Sequence, residues 1–337
     1  MRKMTKRTGL AIALTAVMGL TALTGCSKTA KETEQLASGT ASDTVKIGIT
    51  QISDHPSLDN CREGFLKGLE NSGFTQGDNL EVTFVSAQDD MAKNTQIAQN
   101  FASSGLDLVC GIATPSAQAL YSACYEKGIP VIFNAVSDPV AAKLAVSETE
   151  AMDGISGVSD QLPVEAQLKL IREILPDAKK IGILYSTGEA NSVSTLETYK
   201  ALAPEYGFEI VEKGITKKAE VPQAADVLLA EVDCISNMTD NTVVSALAAV
   251  LDKANAKNIP VFGSEEEQVK NGCIASAGLD YFTLGEQAGE MAAKVLKGAD
   301  ISALPYETLK ESKITVNQEV AQALGITIPD SVLQAAE

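Results

Sequence analysis

The chain has 337 residues, enough for two domains, and 45% of them are hydrophobic, which can furnish two cores. The formal net charge is −17, and four of the 27 basic residues fall in the first 25 positions, so the remaining 23 face all 44 acidic residues, a net of −21. A surface that negative repels nucleic acid and anionic lipid, and the absence of Trp with only 4% aromatic residues argues against a sugar groove built on ring stacking.

The first 26 residues have the form of a targeting segment. A basic start (Arg2, Lys3, Lys6, Arg7) leads into an apolar run, Gly9 to Leu23, that is short for a membrane span. It ends in Leu23-Thr24-Gly25-Cys26, which resembles a bacterial lipobox, so Cys26 is the expected lipidation site. Export and a lipid anchor on the outer face of the cell membrane follow. Residues 27–44 are small and polar and are expected to be a flexible tether.

From Val45 the pattern alternates strand and helix. Val45 to Gln51 reads as a first strand, and His55-Pro56-Ser57 turns into a helix with Leu58, Cys61, Phe65 and Leu69 on one face. Leu80 to Ser86 is a second strand, and Asp89-Asp90 opens a helix through Ala102. Asp107 to Ala113 is a buried third strand, followed by a helix to Lys127 and a fourth strand, Pro130 to Ala135. Gly154 to Val158 reads as an extended crossing to a second lobe. There, strands at Lys180 to Ser186, Phe208 to Glu212, Val232 to Met238, Pro260 to Gly263 and Cys273 to Gly278 alternate with helices, one of them running from Val243 to Ala256. Asp280-Tyr281 marks a second crossing. The helix from Leu284 to Leu296 is expected back on the first lobe, and Ile314 to Leu324 on the second. The expected division is 45–155 with 282–311, and 156–281 with 312–337, joined by a stiff multi-strand hinge.

The two halves repeat one design. In each, a Lys-Ile-Gly-Ile strand is followed by an apolar strand that begins with Asp (Asp107, Asp233) and stops at hydroxyl and amide residues where a helix begins: Thr114-Pro115-Ser116 and Thr239-Asp240-Asn241-Thr242. Helix starts expose unpaired N–H groups and partial positive charge, and in open parallel sheets they gather at the strand ends where ligands bind. Two lobes facing each other across such edges form a cleft. Each of these residues is equally suited to capping its own helix. Thr114 and Ser116 suit a ligand carboxylate, and Asp240 suits a ligand ammonium, so the pair of turns is expected to clamp a zwitterion.

Other chemistries have less to stand on. The six cysteines show no paired CxxC spacing, so no metal is expected, and Cys110 and Cys234 fall in core strands. There is no glycine-rich phosphate loop, and no cofactor is expected. His55 is the sole histidine and stands near the cleft mouth, which leaves a hydrolase or transferase little to work with.

The segments QISDHPSLDNCREGF, ATPSAQAL, NAVSDPV, ISGVSD, TDNTVVSAL and GEQAGEMAAKVLKG jointly resemble the lipid-anchored substrate-binding proteins of ABC importers, of the tryptophan/tyrosine (TrpX-like) group, over about Val45 to Pro329. The resemblance implies an α/β type I periplasmic-binding-protein fold with two Rossmann-like lobes. It implies a non-enzymatic, monomeric binder of an amino-acid ligand, Trp, Tyr or Phe, that docks on a membrane permease working with an ATPase. It implies ligand contacts from Gln51, His55, Thr114, Ser116, Ser137, Asp138, Asn191, Asp240, Asn241 and Asp280, and it leaves the role of Glu265 open. A sensor presenting the same closed body to a membrane receptor is the rival reading.

Overall fold

The computed structural model describes residues 44–309 and 311–336. The expected signal segment, the Cys26 site and the tether up to residue 43 lie outside these residues. Among the described residues no helix is long and apolar enough to cross a membrane.

The first half builds β1 (Val45–Gln51), α1 (Pro56–Asn71), β2 (Leu80–Ser86), α2 (Met91–Phe101), β3 (Leu108–Ile112), α3 (Thr114–Cys124), β4 (Val131–Asn134) and β5 (Ile155–Ser159). The second half builds α4 (Val164–Ile174), β6 (Lys180–Ser186), α5 (Ala190–Leu202), β7 (Glu209–Ile215), α6 (Val221–Leu228), β8 (Cys234–Ser236), α7 (Asn241–Val244), α8 (Leu247–Asn255), β9 (Val261–Phe262), α9 (Glu266–Lys270) and β10 (Ala275–Gly278). The chain then adds α10 (Tyr281–Leu296), β11 (Glu307–Thr308), β12 (Lys313–Val316), α11 (Gln318–Ala323) and α12 (Asp330–Ala335).

One six-stranded sheet has the order β11-β5-β4-β3-β1-β2, and a four-stranded sheet has the order β7-β6-β8-β9. Every pairing in both is parallel. Helices cover both faces, so central strands are apolar throughout: all five residues of β3 are buried, whereas the edge strands β2 and β7 are mostly exposed or half-buried. The duplicated Asp has the same task in each lobe. Asp107 Oδ2 accepts from the Lys46 N–H at 2.7 Å, and Asp233 Oδ2 from the Lys179 and Lys180 N–H groups at 2.7 and 2.8 Å, tying the third strand to the start of the first.

Two sequence expectations are corrected. Ile155 to Ser159 is not a crossing but a full strand of the first sheet, paired with β4 and β11, so the chain leaves that sheet after Ser159 rather than at 155. Its small polar residues fit because Gly157 packs against the Phe133 backbone and ring, where a Cβ would come within 2.1 Å of the carbonyl oxygen. The helix expected over Val243 to Ala256 is two helices, α7 and α8, broken at Ser245-Ala246.

The chain passes between the sheets after β5, after β10 and after β11, and β12 pairs antiparallel with β10. Helix α10 thereby packs on α1 of the first lobe in close backbone contact. A Cβ at Gly64 would lie 2.1 Å from the Phe282 carbonyl oxygen, and one at Gly285 2.3 Å from that of Cys61.

Candidate functional site

The carboxyl ends of both sheets face one cavity, whose empty space, open solvent included, is about 340 Å³. The first lobe lines it with His55, Ser57 and Leu58 from the start of α1, with Ala113 and Thr114 after β3, and with Ala135 and Ser137 after β4. The second lobe adds Asn191 of α5, Thr239, Asn241 and Val244 around α7, and Glu265 and Gln268 of α9. The crossings contribute Asp160 and Tyr281. Each lobe thus turns helix starts toward the gap.

Two alanines show how tightly the first-lobe wall is drawn. Ala113 and Ala135 have φ of +71° and +59°, a left-handed conformation that L-residues adopt at some cost in energy. Both stand at strand ends and both line the cavity. The turn at Ala113 lets α3 begin at Thr114 itself, so Thr114 is a helix residue and not a cap. Its buried Oγ1 has no hydrogen-bond partner among the described residues.

Asp160 is the principal charge. It is 3% exposed, accepts hydrogen bonds from Ser137 Oγ (2.9 Å) and Tyr281 Oη (2.6 Å), and has no cation beside it among the described residues. Burial pushes its carboxyl above the usual range, and the two hydroxyls pull against that shift. Glu265 is also buried, and burial raises it to about 7. Its carboxylate caps α9 through the Glu267 and Gln268 N–H groups (2.6 and 3.0 Å) and accepts from Ser57 Oγ of the opposite lobe at 2.9 Å. His55 places two shielded ring nitrogens in the wall, neither of them hydrogen-bonded; Asn241 faces the ring outside hydrogen-bond geometry. Burial pushes the imidazole down to about 4.

Of the ten residues named from sequence, His55, Thr114, Ser137, Asn191 and Asn241 line the cavity and five do not. Gln51, the last residue of β1, is buried, donating to the Ser53 carbonyl (2.9 Å) and to Asp59 (3.1 Å) and accepting from Arg62 (3.0 Å). Ser116 turns toward α2 and meets Asn94 Oδ1 at 3.3 Å. Asp138 sits on the rim, where it accepts from the Ala141 N–H and from Ser194 Oγ across the cleft. Asp240 is fully buried, and its oxygens are taken by the Val243 N–H at 2.8 Å and the Ser186 N–H, so capping outweighs ligand contact there. Asp280 is exposed and caps α10 through the Phe282 and Thr283 N–H groups. Sequence reasoning passed over Asp160, although the ISGVSD segment contains it. The available signal was an acid placed directly after a buried strand with no basic residue nearby.

Several hydrogen bonds and one ion pair span the lobes: Ser57 to Glu265, Ser137 to Thr239 (3.4 Å), Asn60 to Glu267 (3.4 Å), Ser194 to Asp138, and Lys218 to Asp89 (3.1 Å). Together they draw the cleft shut.

Comparison with known proteins agrees. The model of the ABC transporter substrate binding protein family matches residues 46–337. The chain is 39% identical to the tyrosine-binding protein of Clostridioides difficile over 317 residues, 94% of this chain and 91% of that one. A Streptococcus pneumonia ABC domain in complex with L-Trp superposes with a TM-score of 0.84 at 35% identity, over 87% of this chain and 98% of that chain. A ligand-free, open substrate binding protein with adhesive properties from Clostridium difficile superposes at only 0.65 despite 41% identity, over 85% and 96% of the two chains. The lower score with the more similar sequence fits a different angle between lobes, and the lobes here stand as in the ligand-bound relative. The fold is that of type I periplasmic binding proteins. The chain belongs to the ABC transporter substrate binding protein family, whose members serve an ABC permease from the extracytoplasmic side.

Proposed function

We propose that this protein captures an aromatic amino acid, tyrosine or tryptophan, between its lobes and delivers it to a membrane permease while tethered by a lipid on Cys26. The observation that carries the ligand class is Asp160, a buried carboxylate in the cavity wall with two hydroxyl donors and no cation. An ammonium group is the partner such a carboxylate lacks, and a charge-assisted hydrogen bond of this kind contributes about 1.5–3 kcal/mol. Ser137 and Tyr281 aim the carboxylate. Thr114 Oγ1, unpaired at the start of α3, suits the ligand carboxylate, and Asn191 Oδ1 offers a second acceptor to the ammonium. Leu58, Val244 and the alanines supply apolar wall for a ring.

The tyrosine-binding name of one relative and the L-Trp bound in another support the aromatic class. The lipobox-like Leu23 to Cys26 supports the anchor. Closure is driven only by contacts that the closed state adds, and here these are the ligand bridging both lobes and the interlobe hydrogen bonds. A thermal-shift panel of the twenty amino acids and common nucleosides tests the reading. Tyrosine or tryptophan is expected to raise the melting temperature in proportion to log concentration above Kd. A panel in which neither does so refutes it.

A further inference from the structure

We propose that His55 is the specificity-determining residue of the cavity, accepting a hydrogen bond from a donor on the ligand's ring, so that the site takes phenol- and indole-bearing amino acids and discriminates against phenylalanine. This rests on the aromatic amino-acid reading above and adds which aromatic ligands are admitted and by what contact.

Four buried polar atoms of cavity-lining residues lack a partner: Thr114 Oγ1, Asn191 Oδ1, and Nδ1 and Nε2 of His55. A buried polar group left unsatisfied is destabilising, so each marks a place where ligand chemistry is wanted. With the ammonium on Asp160 and Asn191 Oδ1 and the carboxylate on Thr114, the imidazole is what remains. Burial keeps it neutral at physiological pH, so one ring nitrogen donates and the other accepts. A phenol O–H and an indole N–H are both donors. A phenyl ring offers none.

Position agrees with this. Asp160 lies at the hinge end, directly after β5 and bonded to Tyr281 of the second crossing. His55 lies where the cavity adjoins a groove that it also lines together with Pro56, Leu247, Ala248 and Glu267. In the proposed pose an amino acid held by its ammonium at the hinge directs its side chain toward His55. Glu265 also lines that groove, but its carboxylate already has three donors in Ser57 Oγ and the Glu267 and Gln268 N–H groups. The free acceptor there is the imidazole. The ligands of the two relatives, tyrosine and L-Trp, share the ring donor and little else in ring shape.

Isothermal titration of the mature protein with L-tyrosine, L-tryptophan, L-phenylalanine and 4-fluoro-L-phenylalanine tests the proposal. The last fills the space of tyrosine without a donor. Phenylalanine and its fluoro analogue are expected to bind roughly 10- to 100-fold more weakly than tyrosine, the range for an unmade buried hydrogen bond. In His55→Leu the tyrosine-to-phenylalanine ratio is expected to collapse toward one, and in His55→Gln, which retains an acceptor, to persist. Phenylalanine binding within about threefold of tyrosine in the parent, or an unchanged ratio in His55→Leu, overturns the proposal even if aromatic amino acids bind. Binding of none of the four overturns the ligand class along with it. The parent comparison stands even if a His55 variant does not fold.

Discussion

At the scale of the residue, the proposed site turns on which acids are spent on backbone and which are left facing the cavity. Asp240 and Asp280 look alike in sequence to Asp160, each standing before or beside a helix. Asp240 and Asp280 are consumed by N–H groups at α7 and α10, whereas the side chains that bond Asp160 are the hydroxyls of Ser137 and Tyr281. Opposite outcomes follow. Asp160→Asn is expected to weaken ligand binding at least tenfold in calorimetry, with the melting temperature of the ligand-free protein unchanged or raised, because an uncompensated buried charge is removed. Asp240→Ala is expected to lower stability by about 1–2 kcal/mol in denaturant unfolding through loss of the cap, with binding affected only through the disturbed loop.

At the scale of the element, the critical contact is α1 on α10. These helices are far apart in sequence and belong to opposite ends of the chain, yet their backbones approach so closely that glycine is required at Gly64 and Gly285. That contact returns the chain to the first lobe after the second is built, and it presents the start of α1, with His55 and Ser57, to the cavity. Gly64→Ala would drive a methyl group into the Phe282 carbonyl. It is expected to destabilise by about 1–3 kcal/mol, read as a lower urea midpoint at unchanged slope.

At the scale of the whole molecule, buried carboxylates set the pH response. Asp240 is raised to about 7, by burial first and by the neighbouring Glu189 charge second, and Glu265 to about 7 by burial. A carboxyl raised on folding binds its proton more tightly in the native state. Its contribution is therefore favourable when protonated and is lost as pH climbs from the ordinary carboxylate range through about 7. Asp153, Glu220 and Asp233 are lowered by hydrogen bonds and lose stability on acidification below the ordinary range, and His55, lowered by burial to about 4, opposes the two raised carboxyls as pH falls below about 6.5, one group against two. The ligand-free protein is thus expected to melt at a higher temperature near pH 5.5 than near pH 8 in scanning calorimetry. The net negative charge adds to this trend. An Asp240→Asn, Glu265→Gln double variant is expected to flatten the slope between these pH values, and an unaltered slope would exclude both groups as its source.

The sequence by itself determined the alternation of strand and helix, the duplicated Asp-strand-turn design and the family, because these are written in local periodicity and in contiguous motifs. It also singled out His55, Thr114, Ser137, Asn191 and Asn241, which stand at strand ends and helix starts where a parallel sheet must present them. Only the tertiary structure decided which of the residues named from sequence cap helices and which line the cavity, since that depends on which N–H groups lie within reach of each oxygen. It also decided that Ile155 to Ser159 joins the first sheet, through a glycine that only the Phe133 backbone explains, and that Asp160 and Tyr281, 121 positions apart in the chain, meet at the hinge. Contacts between residues so distant in sequence leave no mark in periodicity; they exist once both lobes have folded and closed on one another.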